Sequence, residues 1–140
     1  MDDNLYQSGE DSPGKVRIMQ EAMRLFAVKG LSVTTIRDIA DATKLSNPAL
    51  YKHFKTKDEL ARTLFERAYV SHVKRLTQAV DSKTGFIDQF HAFLRCYLES
   101  YETHPNAMIF TTDNLPTLWP HMPVEMQKDT AITLLRQVLI

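Results

Sequence analysis

The chain has 140 residues, 44% of them hydrophobic and 24% charged, with 17 basic side chains balanced by 17 acidic ones. That composition fits one ordinary globular domain, or one small domain with part of a second, and excludes a disordered chain. A single cysteine, Cys96, excludes an intrachain disulfide and points to a reducing cytoplasm. No signal-peptide core opens the sequence, and no apolar run reaches bilayer length.

Glycine is scarce and no stretch alternates apolar and polar residues, so the expected fold class is all-α. Residues 1–13 carry Asp2, Asp3, Glu10 and Asp11 and no base, which reads as an acidic, flexible tail. Residues 15–29 place Val16, Met19, Met23, Phe26 and Ala27 at helical spacing, and Gly30 sits where a left-handed C-cap belongs. Thr34 is the expected N-cap of a second helix, which runs to about Thr43 and buries Ile36, Ile39 and Ala40. Ser46 caps a third, carrying Pro48 in its first turn and burying Leu50 and Phe54. Thr56 and Glu59 have capping-box spacing for a fourth. Its apolar positions run from Leu60 to Val80, about 24 residues or roughly 36 Å.

The zero net charge hides a distribution. Residues 14–57 hold nine Lys and Arg against Glu21, Asp38 and Asp41, whereas the segments on either side are net acidic. A local basic field can steer a polyanion to a neutral protein. Two short helices joined by two or three residues, inside that basic block, have helix-turn-helix geometry. The second helix of such a motif presents its N-terminal residues to base edges, here Asn47, Pro48 and Ala49, with Tyr51, Lys52 and His53 on the same helix. Lys57, in the first turn of the fourth helix, pairs an ammonium with free backbone N–H groups, a suitable phosphate site.

Beyond Val80, "DSKTG" at 81–85 separates the fourth helix from a fifth with an aromatic stripe of Phe86, Phe90, Phe93, Leu94, Tyr97 and Tyr101. Pro105 can start a short helix with Met108, Ile109 and Phe110; "LPTLWPHMP" at 115–123 reads as a proline-punctuated loop; a last helix begins near Pro123 or Val124. The aromatic stripe fits a pocket wall and an ordinary core equally well. The five histidines form no HExxH or His/Cys cluster, and there is neither a P-loop nor a nucleophile elbow. The chain therefore reads as a non-enzyme without metal or cofactor.

The segment "IMQEAMRLFAVKGLSVTTIRDIADATKLSNPALYKHFKTKDEL", residues 18–60, resembles the N-terminal DNA-binding domain of TetR-like transcriptional regulators. The resemblance rests on "LFAVKG", "TTIRDIA", "LYKHF" and the lysine at 57. It implies a helix-turn-helix domain over 14–58 and a helical ligand-binding and dimerisation region over 59–140, with a linking helix from about 57 to 80. It places Asn47, Pro48, Ala49 and Lys52 at bases, and Thr35, Tyr51, His53 and Lys57 at phosphates. The family often has glycine in the turn and a basic residue at the position of Asn47. Here "TKLS" fills the turn, so either the turn takes another shape or Lys44 adds a phosphate contact, and Asn47 could read adenine.

The implied function is a ligand-responsive repressor that binds a palindromic double-stranded operator as a homodimer in the cytoplasm, away from membranes. Its implied effector is an apolar or aromatic small molecule, with Phe90, Phe93, Tyr97, Tyr101, Phe110 and Trp119 as pocket candidates. The sequence ends on an uncapped apolar run, Leu134 to Ile140, where family members continue into two long helices. The expected architecture is thus truncated, and the alternative function is a helix-turn-helix protein that binds DNA constitutively or titrates full-length partners.

Overall fold

The computed structural model describes residues 6–140. Eight α-helices appear among them and no strand: α1 (Pro13–Val28), α2 (Ile36–Thr43), α3 (Asn47–Tyr51), α4 (Lys57–Asp81), α5 (Phe86–Thr103), α6 (Pro105–Leu118), α7 (Val124–Lys128) and α8 (Ala131–Leu139). A 3-10 turn at Trp119–His121 links α6 to α7.

Local chemistry sets most boundaries. Ser12 caps α1 by accepting from the Lys15 N–H at 3.3 Å, and Pro13 occupies the first turn, where no N–H is needed. Gly30 ends that helix at φ 102°, a conformation that would strain any residue with a Cβ. Helix α2 starts later than the Thr34 cap expected from sequence. Thr35 is the cap, in a reciprocal box with Asp38, while buried Thr34 turns its hydroxyl inward to the Gly30 carbonyl at 2.7 Å. Lys29 donates to the same Asp38 carboxylate at 2.7 Å. With the Thr35 bonds, that contact holds Asp38 down at a pKa of about 2. At α4, Thr56 caps the Glu59 N–H, but the Glu59 carboxylate takes the Lys55 N–H instead of closing the box on Thr56.

Helix α4 is the spine, packing against α1, α5, α6 and α8. One core joins Ile18, Met23 and Phe26 of α1, Ile39 of α2, Leu50 of α3 and Leu64 of α4 to Phe110 of α6. It therefore runs continuously across residue 58. A second core gathers Leu76 and Val80 of α4, Phe93 and Cys96 of α5, and Leu134 and Val138 of α8.

Four further features differ from the sequence expectations. The acidic tail expected over 1–13 lies outside the described residues for 1–5. From Tyr6 onward it is docked, with Tyr6 only 6% exposed. Asp11 accepts from Arg67 of α4 at 2.6 Å and from the Ser8 N–H at 2.8 Å, and pairs with Lys15 at 3.3 Å. Burial raises the Asp11 pKa, but these contacts outweigh it, leaving the carboxyl below its ordinary range. Helix α3 ends at Tyr51, three residues short of Phe54, because the chain must turn Phe54 into the core and still reach the Thr56 cap. The expected loop at 115–123 is helical as far as Leu118, with Pro116 inside the last turn, where burial of Leu118 offsets the lost N–H. On α5 the buried face is Phe93, Cys96 and Ser100, so Phe86 and Leu94 of the expected stripe are exposed.

Candidate nucleic-acid interface

Helix α2 ends on Lys44, which adopts φ 58°, ψ 27°, the left-handed geometry that glycine adopts most easily. The turn keeps the shape a glycine would give it, and an exposed cation stands there instead. Leu45 packs partly against the first core, and Ser46 caps α3 by accepting from the Ala49 N–H at 3.2 Å. Helix α3 is five residues long and too short to be stable alone. Leu50, fully buried, and Phe54, 2% exposed, pin it from the inner side.

The outer side is left to solvent. Asn47, Pro48, Tyr51 and Lys52 are exposed, and their spacing (i, i+1, i+4, i+5) sets them along one side of the helix. Ala49 is half-buried and Thr35 and Lys44 are exposed. Thr35 accepts from the Asp38 N–H through its hydroxyl oxygen. His53 is half-buried, and its Nε2 lies 3.4 Å from where a Cβ on Gly14 would stand. The imidazole thus sets the start of α1 beside α3.

Lys57 differs most from its expected surroundings. Its ammonium donates to the Leu31 carbonyl at 2.9 Å and approaches the Ser32 carbonyl at 3.5 Å. Those carbonyls offset the mildly unfavourable placement of a cation at a helix N-terminus. The side chain braces the loop after α1 and has N–H capacity left for one further acceptor.

Sequence reasoning assigned no role to Arg37 of α2 or Lys55 after α3, yet both are exposed in this region. Their membership of the basic block was the only available signal. A short, rigidly seated helix with polar and cationic side chains outward can enter a major groove and meet both base edges and phosphates.

The six pocket candidates do not converge. Phe110 stacks on Phe26 at 5.6 Å and meets Phe65 edge-on at 6.5 Å, deep in the first core. Trp119 lies against Tyr69 at 5.0 Å. Phe90 stacks on Phe86 at 5.8 Å. Phe93, Tyr97 and Tyr101 follow one another along α5, with Tyr97 against His72 at 5.3 Å. A groove of about 590 Å³ lies elsewhere, between α4 and the α7–α8 pair, and is lined by Val70, Val73, Lys74, Met126, Leu134 and other residues but by none of the six. Phe93, Tyr97 and Tyr101 thus form one row on α5, while Phe110 on α6 and Trp119 in the 3-10 turn pack apart from them.

Together the α2–turn–α3 unit and its outward-facing side chains define a helix-turn-helix protein. Residues 18–64 match the family model of the bacterial regulatory proteins of the tetR family. That match covers the helix-turn-helix domain of the chain and the start of α4. The repressor KstR2 of Mycobacterium tuberculosis is 26% identical over 111 residues, 79% of this chain and 56% of the relative. KstR2 of Rhodococcus jostii is 33% identical over 82 residues, 53% of this chain and 40% of the relative. The chain thus spans about half the length of the curated relatives it matches. The solved structure of the M. tuberculosis protein superposes with a TM-score of 0.76 at 23% identity, over 93% of this chain and 64% of that one. A TetR-family regulator from Bordetella parapertussis gives 0.72 at 24% identity, over 91% and 64%. These structural likenesses show the fold. Among the described residues, no helix is long and apolar enough to cross a membrane.

Proposed function

We propose that the protein is a transcriptional repressor that binds a palindromic operator as a homodimer and releases it when a small effector occupies the helical second half. The observation that carries this reading is α3 itself: capped by Ser46, pinned by Leu50, and outwardly polar from Asn47 to Lys52. The KstR2 relatives are named as HTH-type repressors, and the M. tuberculosis structure as that of a ketosteroid transcriptional regulator. An apolar effector of that broad kind is in keeping with the aromatic residues of the second half.

One five-residue helix makes few base contacts, so specific binding needs two copies set one helical turn apart, about 34–36 Å between recognition helices. An effector can release DNA only by binding the non-matching spacing more tightly. Helix α4 is the lever in this reading, because it starts beside α3 and ends in the second core.

Two substitutions test it. Asn47→Ala weakens binding to the preferred site by about 1–3 kcal/mol and relaxes choice at one base pair, since an amide at the start of the recognition helix can read adenine bidentately. Anisotropy titrations against a panel of single-base site variants measure this. An unchanged preference profile removes Asn47 from the readout. Lys57→Ala lowers affinity for every DNA sequence alike and reduces the slope of log K against log salt by about one. A salt series on specific and random duplexes reads both quantities, and an unchanged slope means that Lys57 only braces the Leu31 carbonyl.

A further inference from the structure

Where the start of α6 meets α4, Arg75, His104 and the buried His72 lie near one another. Helix α6 has no side-chain cap: Pro105 fills its first position, and the first backbone bond comes only at the Met108 N–H, to the His104 carbonyl. The N–H groups of Asn106 and Ala107 therefore lack intrahelical partners. Arg75 of α4 takes part in none of the ion pairs among the described residues. Its guanidinium reaches only His104 Nδ1, at 3.3 Å. Thr103 Oγ1 lies 2.8 Å from the same nitrogen and sends its own proton to the Glu99 carbonyl, also at 2.8 Å. Nδ1 has one lone pair or one proton, so it can serve Arg75 or Thr103 but not both.

One turn before Arg75, His72 is 6% exposed, and neither of its ring nitrogens has a hydrogen-bond partner. Leaving a buried imidazole unpaired on both sides is costly, and such groups mark sites that something else completes. Its surroundings are the Tyr97 ring of α5 at 5.3 Å, the Arg75 charge on α4 and His104 at the α5–α6 junction. Cys96 and Glu99 of α5 lie within electrostatic reach of one another, and Cys96 also of Arg75. Tyr97 lies beside Tyr101, with ring centroids 5.8 Å apart, and Tyr101 meets Thr112 of α6 at 3.0 Å. The Tyr97 ring beside His72 continues into Phe93, giving an aromatic wall along α5.

We infer that Arg75, the uncapped start of α6 and the ring N–H of His72 form a binding site for the carboxylate of an effector whose apolar body lies along α5. This rests on the effector-responsive reading above and deepens it. Guanidinium and helix N-terminus supply charge-assisted bonds to two oxygens, and the neutral imidazole donates a further one. An anion also frees His104 Nδ1 for Thr103. The site is distinct from the groove between α4 and α7–α8, whose lining includes neither Arg75 nor His72.

The test uses the whole 140-residue chain, labelled at its histidine rings and without DNA, titrated with sodium decanoate, decanol or inorganic phosphate. Decanoate shifts the His72 ring resonances and moves their midpoint upward from about 4, because the bound carboxylate favours the imidazolium. Decanol leaves them in place. Arg75→Gln weakens decanoate binding about ten- to a hundredfold, and Arg75→Lys recovers part of the loss. Equal shifts from decanol and decanoate overturn the site. A response to phosphate matching that to decanoate replaces the carboxylate with a phosphate group and overturns the assignment made here. In a parallel titration of duplex DNA with and without decanoate, a decanoate response at His72 with unchanged DNA affinity leaves the carboxylate site standing and instead contradicts effector-responsive repression.

Discussion

Phe110→Ala lowers the stability of the protein by about 3–5 kcal/mol. Phe110 is fully buried, stacked on Phe26 of α1 and set edge-on to Phe65 of α4. Removing the ring takes away its burial and two aromatic contacts, and leaves a cavity between three helices that cannot all close on it. The position couples the halves of the chain, because α1 belongs to the helix-turn-helix unit and α6 to the second half. The loss therefore lowers the unfolding midpoint of both halves together. Urea titrations followed by circular dichroism and by Trp119 fluorescence measure it. Phe110→Leu keeps most of the volume and costs less than about 1.5 kcal/mol. A loss below 1 kcal/mol for the alanine variant, or separate midpoints for the two probes, would show that the cores are independent.

Acid weakens the fold in a window set by His72. Burial first, then the neighbouring charges of Arg75 and His104, lower its pKa from 6.5 to about 4. Between those values the unfolded chain binds a proton that the folded chain refuses, so stability falls as pH drops from about 6.5 to about 4 and is flat from this group below that. The full loss is roughly 3–4 kcal/mol, taking about 1.4 kcal/mol for each pH unit of displacement. Asp11 and Asp38 have lowered pKa values and contribute in the opposite acid range: their stabilisation is complete above about pH 4 and is lost below it, for Asp38 down to about 2. The two windows are therefore separable. Urea midpoints across pH 4–7 show the slope in the native chain, and His72→Leu removes it while raising stability at pH 5. A slope that persists unchanged in that variant assigns the effect elsewhere.

Much of the first half was legible because its signals are local. Gly30, Ser46, Thr56 and the apolar spacing of Met19, Met23 and Phe26 each follow from short-range geometry, and the structure uses all of them. Errors of one residue, as at Thr34 and Thr35, arose where two adjacent threonines could each cap a helix and only tertiary packing chose between them. The second half was less legible because its choices are made between elements. Pro116 reads as a breaker until Leu118 is seen to need burial, and the inward face of α5 depends on where α4 and α8 lie. The docking of Tyr6 and the Asp11–Arg67 pair span more than fifty residues of sequence, beyond any periodic signal. His72 gave no motif at all, since its importance lies in partners it lacks.

The measurement that bears most directly on the central claim is a binding selection from random double-stranded DNA with the intact chain, repeated with Asn47→Ala. The account predicts a pseudo-palindromic consensus whose half-sites lie about one helical turn apart, and loss of preference at one symmetric base pair in the variant. No enriched sequence, or a consensus the Asn47 variant reproduces at every position, would contradict recognition by α3.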